Sequence, residues 1–513
     1  MTSLVGDLGS GKFDGANLVA NFESLDPANT YFEKPYNVYS KVDTEAERFL
    51  DFETWWGSPV LMNAGEMQWI ADNLFVGNKL TNGDLRTSEG IRIDLRNIQS
   101  PIIVFCSWGD NITPPQQALG WITDLYDSDL DLVSNGQTIV YAIHENVGHL
   151  GIFVSGKVAK REHDEFASAM DMIDLMPPGL YEAVIDEIGE GTANPELIQG
   201  DHLFRLEPRT LEDIRKLGAN SAEDERKFVA ADRVSTINRR LYATYARPFV
   251  GALTPPAFGD WARKMHPNRV RFAIFSDDNP AMRLVADSAA QIRKSRRPAS
   301  EDNPLSDTEK AAAKAITGTL TALGKTRDAM TERLFHHVYG SPLLQALVGI
   351  DSEKSNSERG PVRDIAREKA QAAKRNELEQ AFNKGGAIEG VLRSIAFILA
   401  GAGGADERSF AVIKALQEAR LAGRPRSESH LKKVLRDQSL LLRMDEKRAV
   451  DTIPELLPKS AEERAKLLRA VRRVVAAQAA STAEAKRRLS RIEKLFNGKP
   501  GKTAMKEDAD AGH

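Results

Sequence analysis

The chain has 513 residues, 42% of them hydrophobic and 28% charged, with a net charge of −4. This composition is typical of a soluble globular protein, and the length allows two to four domains, each with its own core. The longest apolar stretch, residues 394–405, is too short to span a membrane. The first residues lack the pattern of a secretory signal, and a single cysteine rules out an intrachain disulfide, so we expect a cytoplasmic protein.

The charge is distributed unevenly along the chain. Residues 361–500 carry a net charge of +12, whereas residues 1–360 carry −15, so an anionic partner should prefer the C-terminal part. The basic segments there have apolar residues at helical spacing and almost no aromatic residues on which bases could stack. We therefore expect solvated helices and no nucleic-acid binding.

The N-terminal 80 residues contain two features of interest. Residues 10–80 are rich in aromatic and loop residues, which could form a lid over a sheet, although ordinary core and edge packing is the simpler interpretation. The stretch from Gly6 to Lys12 has the spacing of a phosphate-binding loop, but Phe13 replaces the Ser or Thr that would bind magnesium. We therefore expect no bound nucleotide or other cofactor.

The most regular pattern runs from Gly90 to about Glu187. Continuous apolar runs there predict buried strands, and each strand leads through a loop into a helical pattern, the first with Thr113 as N-cap. The order strand, helix, strand, helix predicts crossover units in a parallel sheet. The predicted elements are strands at 102–106 and 137–143 and helices at 116–126 and near 157–172.

Helices dominate after about residue 201. We predict one strand-like segment at 270–275 and an apolar core helix at 387–399, while polar stretches at 295–306 and 351–360 are typical of linkers. The predicted domains are an α/β domain over 1–190 that includes the lid-like segment 10–80, a mostly helical region over 200–350, a basic helical domain over 361–500 and a disordered tail over 501–513.

Asp110 and His149 are the candidate catalytic residues. Each follows a predicted buried strand by a few residues, and the loops at the carboxyl ends of parallel strands converge on one crevice. The order of acid before histidine also matches that of hydrolase triads. A neutral imidazole can accept a proton from a nucleophile, while a carboxylate fixes its tautomer and stabilises the imidazolium.

A structural interpretation of these two residues stays open at this point. Asp110 could cap the start of the helix near Pro114, and His149 could be a loop histidine with satisfied hydrogen bonds. Gly148 would let the loop turn tightly before His149.

Three stretches resemble a bacterial family of domain-of-unknown-function proteins related to poly(3-hydroxyalkanoate) synthases, which have the α/β-hydrolase fold. They are DPANTYFEKPYNVYSKVDTEAERFLDFETWWG (26–57), SPIIVFCSWGDNITPPQQALGWITDLY (100–126) and QTIVYAIHENVGHLGIFVSGKVAKREHDEF (137–166). The motifs GDNITPP and GHLGIF stand where the synthases carry their acid and histidine motifs. The resemblance therefore implies that Asp110 is the acid and His149 the base.

The resemblance also implies a nucleophile that this sequence lacks. Family members carry a Gly-x-Ser/Cys-x-Gly turn upstream of the matching region, and no such turn occurs here, so we expect the chain to start inside the domain. Cys106 lies inside a predicted strand and should be inert, and Ser155 follows His149 too closely to be its partner. His144 and Glu145 with His149 approximate a zinc-protease motif, but the histidines are five residues apart rather than four, so we expect no metal.

These observations define the expected fold class and function. The fold should be α/β, the C-terminal part of an α/β-hydrolase-like parallel sheet followed by a mainly α-helical extension. The resemblance implies an acyl transferase or hydrolase for 3-hydroxyacyl-CoA or a polyester, incomplete in this chain because the nucleophile is missing. The alternative is a non-catalytic protein that binds a granule surface or a partner subunit, through a sheet edge left open by missing strands.

Overall fold

The chain forms two compact units, each built from two separate stretches of sequence. Met1–Leu80 and Ser221–Arg359 form the helical unit, whereas Thr81–Asn220 and Gly360–His513 form the sheet unit. The computed structural model describes residues 1–149, 151, 156–218, 221–297, 300, 303–350, 365–418, 428–478 and 482–498.

This grouping differs from the predicted domains. Residues 1–80 lie with the middle of the chain, and the residues beyond 360 lie with the sheet. The predicted linker at 351–360 and the predicted tail at 501–513 lie outside the described residues. The difference arises because long-range packing, rather than local composition, joins the two halves of each unit.

Among its described residues, the helical unit has many helices, some of them π-helical turns, and one small pair of antiparallel strands. The strands are β1 (Lys12–Asp14) and β2 (Leu61–Asn63). The helices are Thr2–Leu8, Ala16–Leu25, Asn29–Glu33, Lys34–Ser40, Ala46–Trp56, Ala64–Ile70, Ala71–Val76, Ala222–Leu241, Tyr242–Ala246, Arg247–Leu253, Pro256–Lys264, Pro267–Ile274, Pro280–Ser295, Pro304–Tyr339 and Pro342–Leu347.

The predicted strand at 270–275 is wrong. These residues lie mainly in the helix Pro267–Ile274, in which the N-cap side chain of His266 accepts a hydrogen bond from the Asn268 N–H. Proline in the first turn suits a helix start, because its missing N–H would be unpaired there in any case. The helix-start signal at His266 and Pro267 therefore determined the structure of this segment, and the short apolar run at 270–275 did not form a strand.

The aromatic-rich segment 10–80 is mainly helical. Phe52 and Trp56 stack with ring centroids 5.8 Å apart, and the Trp56 Nε1–H donates to a Glu23 carboxylate oxygen at 3.2 Å. Other aromatic side chains of this segment are more than half exposed, including Tyr31, Trp55 and Phe75. The idea that the segment acts as a lid stays a prediction.

Within the described residues, the sheet unit contains a five-stranded mixed sheet. Its strands, in spatial order, are β3 (Ile102–Ser107), β4 (Thr138–His144), β5 (Gly179–Glu187), β6 (His202–Arg209) and β7 (Ala405–Asp406). The strands β3, β4 and β5 are parallel, whereas β6 and β7 run antiparallel to their neighbours. The predicted strands β3 and β4 are confirmed, and so is an α/β fold.

The expected parallel sheet is found only in part, because β6 reverses direction and the sheet is mixed. The connection from β5 to β6, residues 188–201, contains only the short turn Pro195–Leu197. A parallel crossover usually needs a helix to return the chain along one face of the sheet. Without such a helix, β6 folds back beside β5.

The helices of the sheet unit come from both of its stretches. The predicted helix at 116–126 is observed as Pro115–Leu125 and the core helix as Ala387–Gly401, whereas the helix predicted near 157–172 is divided into short pieces. The helices and helical turns are Leu95–Asn97, Pro115–Leu125, Asp129–Asn135, Gly156–Val158, Ala159–His163, Asp164–Ser168, Met170–Leu175, Pro195–Leu197, Leu211–Arg215, Ile365–Glu379, Ala387–Gly401, Glu407–Glu418, Glu428–Met444, Glu446–Asp451, Ile453–Leu456, Ala461–Ala477 and Ala483–Asn497.

Apolar side chains pack on both faces of the sheet. Ile139 and Tyr141 of β4 face one core, and Val140 and Ala142 face the other, as the alternation of side chains along a strand requires. A further core lies among the C-terminal helices. No helix in the described part of the chain combines the length and the apolar character that a membrane span requires.

Replacing Ile139 with Ala should destabilise the sheet unit. Ile139 is completely buried on β4, and removing a buried aliphatic side chain leaves a cavity that costs about 2–5 kcal/mol of unfolding free energy. Ile91→Ala, at a side chain 61% exposed in the same unit, should change the stability by less than about 0.5 kcal/mol. Urea denaturation followed by circular dichroism measures both, and an Ile139→Ala variant as stable as the wild type would contradict this packing.

Candidate functional site

Two neighbouring strands position the candidate residues. β3 and β4 pair in parallel with Ser107 opposite His144, so both strands end at the same edge of the sheet. The loop after β3 carries Asp110, and the loop after β4 carries His149. Loops that follow parallel strands converge at this edge, and the structure brings the two predicted residues together there.

A buried serine connects the two loops. Ser107 is completely buried at the end of β3, and its Oγ accepts hydrogen bonds from the N–H groups of Gly109 at 3.1 Å and Val147 at 3.0 Å. The Trp108 N–H also donates to the His144 carbonyl at 2.9 Å. Sequence analysis missed Ser107, although a polar residue at the end of an apolar strand run was a visible signal.

A glycine is needed where the loops approach each other. A Cβ atom at Gly109 would lie 2.6 Å from the Asn146 carbonyl carbon, closer than real contacts allow. Gly148, predicted to permit a tight turn, does not have a positive φ, and among the described residues a Cβ there would meet the Gly109 oxygen at 4.0 Å. The close approach of the two loops therefore requires a glycine on the loop of the acid, whereas the role of Gly148 stays a prediction.

Asp110 is buried and hydrogen-bonded through both oxygens. Its Oδ1 accepts from the N–H groups of Ile112 at 2.8 Å and Thr113 at 2.9 Å, and its Oδ2 accepts from the Thr113 hydroxyl at 2.7 Å. Asp110 thus orders its own loop, whereas the structural interpretation expected it to cap the start of the helix, which has no side-chain cap. The prediction that Thr113 is an N-cap is wrong, because its hydroxyl bonds to Asp110 and Pro114 occupies the cap position.

His149 completes the pair. Its Nδ1 lies 2.8 Å from Asp110 Oδ2 and 3.2 Å from the Thr113 hydroxyl. With a carboxylate as the acceptor, Nδ1 carries the proton and Nε2 presents its lone pair. The His149 side chain is 33% exposed, and its Nε2 has no hydrogen-bond partner among the described residues.

The hydrogen bonds keep the Asp110 carboxyl group charged. Burial by itself would raise the pKa of Asp110, but the hydrogen bonds from the Thr113 backbone, from His149 and from the Thr113 hydroxyl hold this pKa below its ordinary value. A charged acceptor orients the imidazole and stabilises the imidazolium that forms when Nε2 takes a proton. The arrangement is therefore suited to general acid–base chemistry at Nε2.

Comparison with known proteins assigns the family. Residues 1–382 match the model of the family described as "Protein of unknown function (DUF3141)". The chain belongs to the DUF3141 family. A Rhizobium meliloti protein described as "Uncharacterized protein in ackA 5'region" is 46% identical over 496 residues, which are 97% of this DUF3141 chain and 68% of that relative. No solved structure matches this DUF3141 protein.

The described part of this DUF3141 protein offers no activated nucleophile to His149. Cys106 is buried in β3 with its thiol 3.5 Å from the Ala142 carbonyl oxygen, and burial raises the pKa of this thiol to about 12, so it stays protonated. Ser155 lies outside the described residues. Among the residues that are described, no group of three or more His, Cys, Asp and Glu side chains is placed to hold a metal ion.

Asp110→Asn should change how the stability of this DUF3141 protein depends on pH. Because the pKa of Asp110 is lowered in the folded state, its ionised form stabilises the fold above the unfolded pKa of about 3.9, and this contribution is lost as the pH falls through the folded pKa. The gap in unfolding free energy between wild type and variant should therefore be largest near neutral pH and shrink below about pH 4.

Urea denaturation at a series of pH values measures this gap. Asp127→Asn is the matched control, because Asp127 is exposed in the same unit, and its gap should stay small throughout. A gap for Asp110→Asn that is the same at pH 7 and at acidic pH would contradict the stabilising role of the charged carboxylate.

Proposed function

We propose that Asp110 and His149 are the acid and base of an α/β-hydrolase-type site that transfers or hydrolyses 3-hydroxyacyl groups, as poly(3-hydroxyalkanoate) synthases and related hydrolases do. The observation that supports this proposal is the 2.8 Å contact between Asp110 Oδ2 and His149 Nδ1 at the shared edge of two parallel strands. The substrate class, a 3-hydroxyacyl-CoA thioester or a polyester, rests on the sequence motifs around the two residues.

In this mechanism the imidazole moves one proton. His149 Nε2 removes the proton of the nucleophile as it attacks the thioester or ester carbonyl, and then returns that proton to the leaving group. Asp110 stabilises the imidazolium between these two steps, and Thr113 holds the carboxylate in place.

We further propose that this chain lacks the nucleophile and that a separate polypeptide supplies it. Within the described part, Thr113 is the residue whose hydroxyl contacts the His149 ring, and it contacts Nδ1 rather than the reactive Nε2. The buried Cys106 thiol is bonded towards β4 and is unsuited to the role.

The chain should hydrolyse 3-hydroxybutyryl-CoA slowly and without a covalent intermediate. A general base without a nucleophile can still activate water, and such catalysis contributes about 10²–10⁴-fold in rate. His149→Ala should remove this activity and Asp110→Asn should lower it by about 10²-fold or more, whereas Cys106→Ser should leave it unchanged. Release of free CoA, followed with a thiol reagent, gives the rate.

Two results would contradict these proposals separately. If wild type and His149→Ala release CoA at the same rate, the pair has no acid–base role. If a fluorophosphonate labels the chain and the labelling requires His149, the chain contains its own nucleophile. Circular dichroism of each variant shows that the fold is retained.

The second candidate function is non-catalytic binding of a partner subunit or of a granule-surface protein. It is favoured by the position of β3, which pairs with β4 on one side and forms an edge of the sheet within the described residues. An edge strand can accept a strand from another chain, and Trp108, directly after β3, is 51% exposed. Slow hydrogen exchange of all the β3 amides in the isolated monomer would argue against an open edge.

A further inference from the structure

A largely apolar cavity lies in the sheet unit, away from Asp110 and His149. Its volume is about 180 Å³, and an apolar cavity of about 150 Å³ already holds a benzene-sized molecule. The cavity lies among β5, β6 and the helices Met170–Leu175, Ala387–Gly401, Glu407–Glu418 and Glu428–Met444. Its apolar lining includes Met172, Leu392, Ile395, Leu399, Leu435 and Leu442.

The cavity and the candidate active site lie at different ends of the sheet. Tyr181, a lining residue, stands near the start of β5 and pairs with Val140 near the start of β4. Asp110 and His149 follow the carboxyl ends of β3 and β4 instead. Neither of them lines the cavity, so a ligand there would be bound independently of the acid–base pair.

A cation lines the cavity. Arg443 is a lining residue and is exposed, so its side chain contacts both the cavity and the solvent. No carboxylate in the described part of the chain forms an ion pair with Arg443. The positive charge is therefore available to an anionic group of a ligand.

The surroundings of Arg443 give the guanidinium group a defined position. It faces the hydroxyl of Tyr181, a buried side chain whose hydroxyl donates to the Pro177 carbonyl at 3.0 Å. It also lies over Gly179, where a Cβ atom would come within 3.0 Å of Arg443 Nη2. Because Gly179 has no side chain, the guanidinium group of Arg443 can occupy this space.

A serine hydroxyl in the cavity wall lacks a hydrogen-bond partner among the described residues. Ser439 lines the cavity and is 9% exposed, and its buried hydroxyl makes no hydrogen bond in the described structure. Buried polar groups in native proteins are nearly always paired, so the Ser439 hydroxyl is an exception in this wall.

We propose that this cavity binds a medium-chain fatty acid, with the carboxylate on Arg443 and the acyl chain among the apolar side chains. A guanidinium group binds a carboxylate through two parallel hydrogen bonds, and each methylene group that leaves water favours binding. The apolar lining excludes a polar or charged ligand body, and the lone cation selects an acid over a neutral lipid. This inference does not depend on the proposed acyl-transfer function.

Calorimetric titration of the full chain with hexanoate, octanoate, decanoate and dodecanoate tests the proposal. Affinity should rise with chain length until the cavity is filled and then level off, and methyl decanoate should bind more weakly than decanoate. Arg443→Gln should weaken decanoate binding by about tenfold or more and leave methyl decanoate binding nearly unchanged. Lys433→Gln, at an exposed position of the same helix that does not line the cavity, should bind decanoate like the wild type.

Ala396→Leu provides an independent test of where the acyl chain of the fatty acid lies. Ala396 lines the cavity, so a larger apolar side chain would occupy the space of the acyl chain and abolish decanoate binding, and filling an empty apolar space should not lower the melting temperature. The proposal is overturned if the folded wild type binds none of the four acids, if it binds decanoate and methyl decanoate equally, or if both variants bind decanoate like the wild type.

Discussion

The candidate site depends on the buried hydroxyl of Ser107. β3 and β4 pair in parallel and end at the same edge of the sheet, but this pairing alone does not keep the two following loops close together. Ser107 holds the two loops together, because its completely buried side chain accepts one N–H from each loop, at Gly109 and at Val147. The meeting of Asp110 with His149 follows from this connection.

Asp110 both orders its own loop and contacts His149. Its Oδ1 orders the loop through backbone N–H groups, and its Oδ2 accepts from Thr113 and contacts His149. Ordering the loop does not compete with the contact to His149, because the backbone N–H groups bond to Oδ1 and His149 contacts Oδ2. The hydrogen bonds that order the loop also help to hold the pKa of the carboxyl group down, so the loop geometry and the charge that orients the imidazole depend on each other.

The C-terminal helices are a part of the sheet unit rather than an appended domain. β7 pairs with β6, and the buried Glu407 accepts the Phe204 N–H of β6 at 3.0 Å. Arg393, completely buried, donates to the Gln438 side chain and to the Ala449 carbonyl, which joins three helices. Because the C-terminal helices pack against the sheet, they enclose the cavity at one end of it. The Asp110–His149 pair lies at the other end.

The sequence by itself determined β3, β4, the Pro115–Leu125 helix and the choice of Asp110 and His149 as candidate residues, because apolar runs and the loops that follow them are local properties. β5 and β6 show some of the alternation of apolar and polar residues that is typical of strands, for example between Leu203 and Arg209. The opposite directions of the two strands, however, are not a local property of either segment. Only the tertiary structure decided the role of Ser107, the place of the C-terminal helices and the cavity. These depend on contacts between distant segments, such as Leu206 with Ala405, and no local pattern encodes which segments become neighbours.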